Sequence, residues 1–172
     1  MTKRYGQACA VAQSLELVGE RWTLLIIRDL LRGPGRFQDL RRSLRGIAPN
    51  LLSERLKLME EHALVSRRFY SDYPPRAEYV LTDKGRELAP VVGALAEWGA
   101  RHLIAGHALV NEACGHAVKL VYYCPECGER VRGSGVKIGK TGKAAKTGKT
   151  GTAAGQPARA GIRRRTTRRV PS

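Results

Sequence analysis

Between residues 22 and 82 the sequence changes its period once, from helix-type to β-type, and that switch most constrains the fold. Residues 22–31 hold Leu24, Leu25, Ile26, Ile27, Leu30 and Leu31. A helix with so little polar face belongs in a core. Gly33, Pro34 and Gly35 stop it, because both residue types resist helix continuation. Residues 37–44 predict a short helix that exposes Asp39, Arg41 and Arg42. Gly46 and Pro49 then bracket a turn, and Pro49 suits the first position of a helix over 50–62, where its missing N–H costs nothing. Upstream, residues 9–18 have helix-forming composition ended by Gly19. Residues 64–71 and 76–82 are rich in Val, Tyr and Phe and flank Asp72-Tyr73-Pro74-Pro75, the pattern of a hairpin. Thr82 or Asp83 can cap a last long helix striped with Leu88, Val91, Val92, Leu95, Trp98 and His102. Pro90 is expected to kink it.

The order helix, helix, glycine-containing turn, helix, hairpin predicts a winged helix-turn-helix over residues 19–83, in a chain that is mainly α with a small β-hairpin. The 50–62 helix has two faces. Leu52, Leu56, Met59 and Ala63 recur at core spacing, whereas Asn50, Ser53 and Lys57 share another face. Residues near the start of the second helix of such a motif enter the major groove, so Asn50 and Ser53 are the candidates to read bases. Arg55 is expected at a phosphate or as a buttress of the helix. On the hairpin, Arg67, Arg68, Tyr70, Tyr73 and Arg76 can follow the backbone or enter the minor groove. On periodicity alone these charges equally suit a solvated helical surface.

The formal net charge is +16, but residues 133–172 contain five Lys, six Arg and no acidic residue, leaving +5 for residues 1–132. Such a polycation seeks phosphate, in nucleic acid first and anionic membrane second. Lys137, Lys140, Lys143, Lys146 and Lys149 recur every third residue, and Arg163–165 with Arg168 and Arg169 form the densest cluster. This low-complexity stretch is expected to be a disordered tail that adds salt-dependent affinity without reading sequence. No apolar run approaches the ~20 residues that span a bilayer, and the first residues lack a signal-peptide core. The expected location is the cytoplasm, on the nucleoid. No phosphate-binding glycine loop, nucleophile–base motif or paired carboxylates suggest an enzyme.

Cysteine usage points to metal or redox chemistry in place of a disulfide framework. Cys9 opens the first predicted helix near Lys3 and Arg4, and both features favour a thiolate. It is a candidate redox-sensing thiol, with a small packed residue as the other reading. Cys124-Pro-Glu-Cys127-Gly128 has the spacing of a metal knuckle. Cys114 offers a third thiolate to a tetrahedral zinc, with His116 or His107 as fourth ligand. Residues 118–123 read as a strand, so one structural zinc ion is expected in a small ribbon.

The run from Cys9 to about residue 102 resembles the HxlR family of bacterial transcription regulators, within the MarR-like superfamily. The residues that carry the resemblance are Cys9, Gly19 with Trp22, Arg36-Phe37 with Leu40, Gly46-Ile47 with Pro49, and Leu52 with Arg55-Leu56. Leu64-Val65, Pro74-Pro75-Arg76, Glu78-Tyr79, Leu81-Thr82, Gly85 and Trp98 follow. The resemblance implies a homodimer paired through terminal helices, with two recognition helices in successive major grooves of double-stranded DNA and promoters repressed or activated. It also implies that some relatives sense oxidants at the first cysteine, and that a subset carries a ribbon with His where this chain has Asn111. Ala63 departs from the pattern, which usually has Gly there. If that position is left-handed, Ala costs about 1 kcal/mol. The expected organisation is a DNA-binding and dimerisation domain over 9–105, a ribbon-like segment over 106–132 and the tail over 133–172. A nucleoid-associated architectural protein dominated by its tail is the alternative function.

Overall fold

The computed structural model describes residues 5–73 and 75–138. Lys3, Arg4 and the expected tail beyond residue 138 lie outside the described residues. The elements, in chain order, are α1 (Ala10–Val18), α2 (Thr23–Leu30), β1 (Gly35–Arg36), α3 (Phe37–Ser43) and α4 (Pro49–Glu61). There follow β2 (Val65–Asp72), β3 (Pro75–Leu81), α5 (Asp83–Arg86) and α6 (Ala89–His102). Four short strands complete two further hairpins, β4 (Leu109–Val110) with β5 (Ala117–Val118) and β6 (Tyr122–Cys124) with β7 (Glu129–Val131).

The core lies where the apolar faces of α2, α3 and α4 meet the base of the hairpin. Ile26, Ile27 and Leu30 of α2, Leu52, Leu56 and Met59 of α4, and Leu64, Val65 and Leu81 of the hairpin are all buried in it. Each such side chain contributes roughly 1.5–3 kcal/mol on leaving water. Three of the four core positions expected on α4 are therefore met.

Ala63 is the exception, because the helix ends at Glu61 and its spacing rule ends with it. Ala63 is exposed with φ +53°. Its N–H donates to Glu60 O at 3.0 Å and that of Leu64 to Met59 O at 2.8 Å. This is the hydrogen-bond pair that closes a helix through a left-handed residue. Leu64 is thereby turned into the core and the chain is aimed into β2.

Two boundaries differ from sequence expectation. Gly35 and Arg36 form a strand, pairing Gly35 with Tyr79 and Arg36 with Glu78, which gives a three-stranded sheet in the order β1-β3-β2. A β-carbon on Gly35 would come within 3.0 Å of Leu30 Cδ2 and 3.2 Å of Leu40 Cδ2, so glycine lets this strand lie against the core. The expected long last helix is two helices. Thr82 Oγ1 accepts from Gly85 N at 3.1 Å and caps the short α5. Pro90 then falls in the first turn of α6, where it starts a helix and does not kink one.

The segment after α6 returns across it. Leu120 N–H donates to Glu97 Oε2 at 3.3 Å. A β-carbon on Gly93 would sit 3.5 Å from both Leu109 Cδ1 and Leu120 Cδ1, an ordinary packing distance.

Candidate nucleic-acid interface

The helix-turn-helix consists of α3, the turn at 44–48 and α4. With Leu52, Leu56 and Met59 committed to the core, the remaining face of α4 carries Asn50, Ser53 and Lys57, all exposed. Ser53 Oγ donates to Pro49 O at 3.1 Å, which directs the hydroxyl lone pairs outward as acceptors. Lys57 Nζ lies 3.9 Å from Glu61 Oε1, both well exposed, a pairing too weak to hold the ammonium from a phosphate. Ala48, the residue before α4, offers no side-chain cap. The first amides of the helix are thus suited to an anionic oxygen.

Arg55 is different. Its side chain is only 10% exposed, with the guanidinium 3.4 Å from Glu54 Oε1 and 3.7 Å from Glu20 Oε2. Of its two expected roles, this placement fits the buttress: Arg55 ties α4 to the segment before α2. A guanidinium removed from solvent and flanked by two carboxylates is held in place by them.

The wing is the β2–β3 hairpin, whose register runs from Val65↔Leu81 to Asp72↔Pro75 with a bulge between Phe69 and Ser71. Arg68 is engaged within it, its Nε 2.8 Å from Glu78 Oε1 and its Nη2 on the same oxygen. It stiffens the wing as a cross-strand partner. Arg67 lies over the Phe69 ring at 4.9 Å, a cation–π arrangement that leaves the guanidinium edge toward solvent. Arg76 is exposed beside the tip. Tyr73, at the tip, is 94% exposed. Arg36 joins this group although sequence reasoning did not include it: exposed on β1, it sits 4.9 Å over the Tyr70 ring. The only signal was a basic residue directly after the glycine stop.

Cys9 occupies the N-cap position of α1 with extended backbone. Its side chain makes no capping hydrogen bond, but the backbone amides of Ala12 and then Val11 at the start of α1 hold the thiol below its ordinary value, outweighing burial. This is the effect of a helix start on a thiolate. The other cysteines lie on the two C-terminal hairpins. Cys124 and Cys127 stand on the β6–β7 hairpin. The backbone amide of Cys127, then its side chain, hold Cys124 low. Cys127 is raised, first by the Cys124 side chain and then by the charge there. Cys114 and His116 sit at the turn of the preceding hairpin. Among the described residues no three His, Cys, Asp or Glu side chains are gathered as a metal group, so the expected zinc set is brought together only in its Cys124–Cys127 half.

A model of HxlR-like helix-turn-helix proteins matches residues 17–106, covering α2, the helix-turn-helix, the wing and α6. The chain belongs to the HxlR-like helix-turn-helix family. It is similar to the HTH-type transcriptional regulator Rv3095 of Mycobacterium tuberculosis, with 40% identity over 126 residues, 71% of this chain and 79% of the relative. Among solved structures it resembles PA1607, classed as a transcription factor, at TM-score 0.67 and 30% identity over 79% of this chain and 97% of that one. It also resembles the redox regulator HypR in its oxidised form, at TM-score 0.52 and 33% identity over 55% and 97% of the two chains. The fold is thus a MarR-like winged helix-turn-helix, and the protein is a DNA-binding transcription regulator of the HTH type. Among the described residues no helix is long and apolar enough to cross a membrane.

Proposed function

We propose that this HxlR-like chain is a homodimeric, sequence-specific repressor that reads its operator with Asn50 and Ser53 of α4. The division of α4 carries the reading: one face lies wholly in the core and the other presents short polar side chains and one lysine to solvent. Lys57, Arg67, Arg76 and Tyr73 contact phosphate and sugar and set the register, which positions the protein without reading sequence. Arg55 and Arg68 hold α4 and the wing in shape.

The homodimer is supported by α6, which buries none of its residues fully although Val91, Leu95 and Trp98 lie along it at 43%, 52% and 55% exposure. A groove of about 710 Å³ beside it is walled by Val91, Trp98 and Tyr122, extending the apolar surface. Such a patch on a soluble regulator marks a protein contact, and a second copy placed there would present two α4 helices to successive major grooves. Two half-sites roughly 34 Å apart would then be covered together, excluding polymerase from an overlapping promoter.

Cys9 supplies the input in this reading. A thiolate stabilised at a helix start and partly accessible is placed to react with an oxidant or electrophile, and the likeness to HypR, named a redox regulator, supports it. Sedimentation of the chain with and without a bound duplex, repeated after mild peroxide, tests the proposal. A mass of two chains on one duplex, and oxidant-dependent release that Cys9→Ser abolishes, are expected. A single chain on the operator would overturn the dimer, and release that persists in Cys9→Ser would overturn the sensor.

A further inference from the structure

The end of α2 carries a carboxylate in an unfavourable setting. Asp29 lies in the last turn of α2, where the aligned backbone dipoles present negative charge and repel an anion. Its side chain is only 8% exposed. Oδ1 is served twice by the neighbouring Arg28, through Nε at 2.9 Å and Nη2 at 2.8 Å. Oδ2 is buried and has no hydrogen-bond partner among the described residues. An ionised oxygen buried in this way is among the costlier arrangements a fold can hold.

Asp29 walls a cleft of about 230 Å³ between the end of α2, the 33–35 turn and α3, together with Arg32, Pro34, Asp39, Leu40 and Ser43. Arg28 does not wall this cleft; it lines the groove between α2 and α6 beside Leu24 and Val92. Asp39 is paired in solvent with Arg42 Nη1 at 3.5 Å. Arg32 is exposed and makes no ion pair among the described residues. The cleft thus holds one unengaged carboxylate oxygen and one unengaged guanidinium. A bare cation would answer Asp29 and be repelled by Arg32, and a bare anion the reverse. The complement of both is a molecule that carries an ammonium and a carboxylate close together. Size narrows the class. One water takes ~30 Å³, so the cleft exceeds a single bridging water, yet it lies below the roughly 300–1,000 Å³ of drug-sized sites.

We propose that this cleft binds a small α-amino acid, its ammonium donating to Asp29 Oδ2 and its carboxylate held by Arg32. The flat fork of a guanidinium matches a carboxylate edge to edge. Pro34 and Leu40 offer the ligand's side chain a short apolar wall. Asp29 belongs to α2, and Leu40 and Ser43 to α3, so the occupant bridges the two helices. Because α3 is the first helix of the helix-turn-helix, the ligand would fix that motif against the core. The site needs nothing from the operator reading, and its failure would leave that reading intact.

The test is calorimetric titration of the full chain with L-alanine, L-serine and L-valine, with thermal melting at millimolar ligand as a second readout. Ethylammonium and propionate serve as the two halves of alanine. At least one of the amino acids should bind, one molecule per chain, and raise Tm. Each half should bind more weakly than alanine by about tenfold or more, because each forgoes a charge-assisted hydrogen bond. Asp29→Asn keeps the shape and an acceptor for Arg28 but removes the anion from the cleft, and should weaken binding by about tenfold or more. Arg32→Gln should do the same. It alters an exposed side chain without an ion pair, so its effect cannot come from misfolding. The assignment is overturned if none of the three amino acids binds, if ethylammonium or propionate binds as tightly as alanine, or if either variant binds as wild type does.

Discussion

Replacing Ala63 by glycine should stabilise the protein, and the reason lies at the joint between recognition helix and wing. At φ +53° the alanine β-carbon crowds the following carbonyl, a cost of about 1–2 kcal/mol that glycine escapes. Glycine gives back part of this, ~0.4–1 kcal/mol, through the greater freedom of its unfolded chain. Ala63 is exposed, so little packing is lost. Its N–H bond to Glu60 O and the 2.6 Å hydrogen bond from Thr82 Oγ1 to its carbonyl are backbone features that glycine keeps. The net gain should be about 0.5–1 kcal/mol, or a rise in Tm of roughly 2–5 °C for a unit of this size. Urea unfolding followed by circular dichroism reads it as a higher midpoint at unchanged slope. Ala63→Val should move the midpoint the other way, because a β-branched residue tolerates this backbone worse. A lower midpoint for Ala63→Gly would refute the left-handed joint and the helix ending built on it.

Gly85→Ala should be strongly destabilising, by about 2–4 kcal/mol, because its β-carbon would lie 2.1 Å from Leu64 O; thermal melting reads the loss, and a wild-type Tm would show that α5 does not pack on the Leu64 carbonyl. Cys9 should be alkylated by iodoacetamide with a midpoint below that of an ordinary cysteine thiol, and return to the ordinary midpoint in denaturant. Because the folded thiol ionises first, its contribution to stability is present above the unfolded value and lost as pH falls through the folded one. Equal midpoints in the folded and unfolded chain would remove the helix-start effect. Trp98→Lys, placing a charge on the exposed face of α6, should yield monomers in sedimentation and weaken operator binding by about tenfold or more. A stable dimer would move the interface elsewhere.

Much of this architecture was legible because it rests on local chemistry. Gly33-Pro34-Gly35 and Pro49 mark helix boundaries by what their backbones permit, and Leu52, Leu56 and Met59 keep one helical face buried. The reading face of α4 followed by subtraction. What escaped depends on tertiary partners. β1 has two residues and no period to detect; it exists because Tyr79 and Glu78 pair with it. Ala63 fits the core spacing of α4 by number, but the helix stops before reaching it. Arg55 and Arg68 are indistinguishable in sequence from surface arginines until Glu20 and Glu78 are found beside them.

The account stands on α4 reading bases while the wing and Lys57 hold phosphates. Its most direct test is the affinity of the wild-type chain and of Asn50→Ala for a selected operator duplex and a random one, measured by fluorescence anisotropy at physiological salt. Wild type should prefer the operator by ~10³ or more. Asn50→Ala should cut that preference by roughly 5- to 150-fold, the 1–3 kcal/mol of a lost base contact, with affinity for the random duplex nearly unchanged. A preference that survives the substitution, or a wild type that binds both duplexes alike, would contradict the assignment of α4 as the reading element.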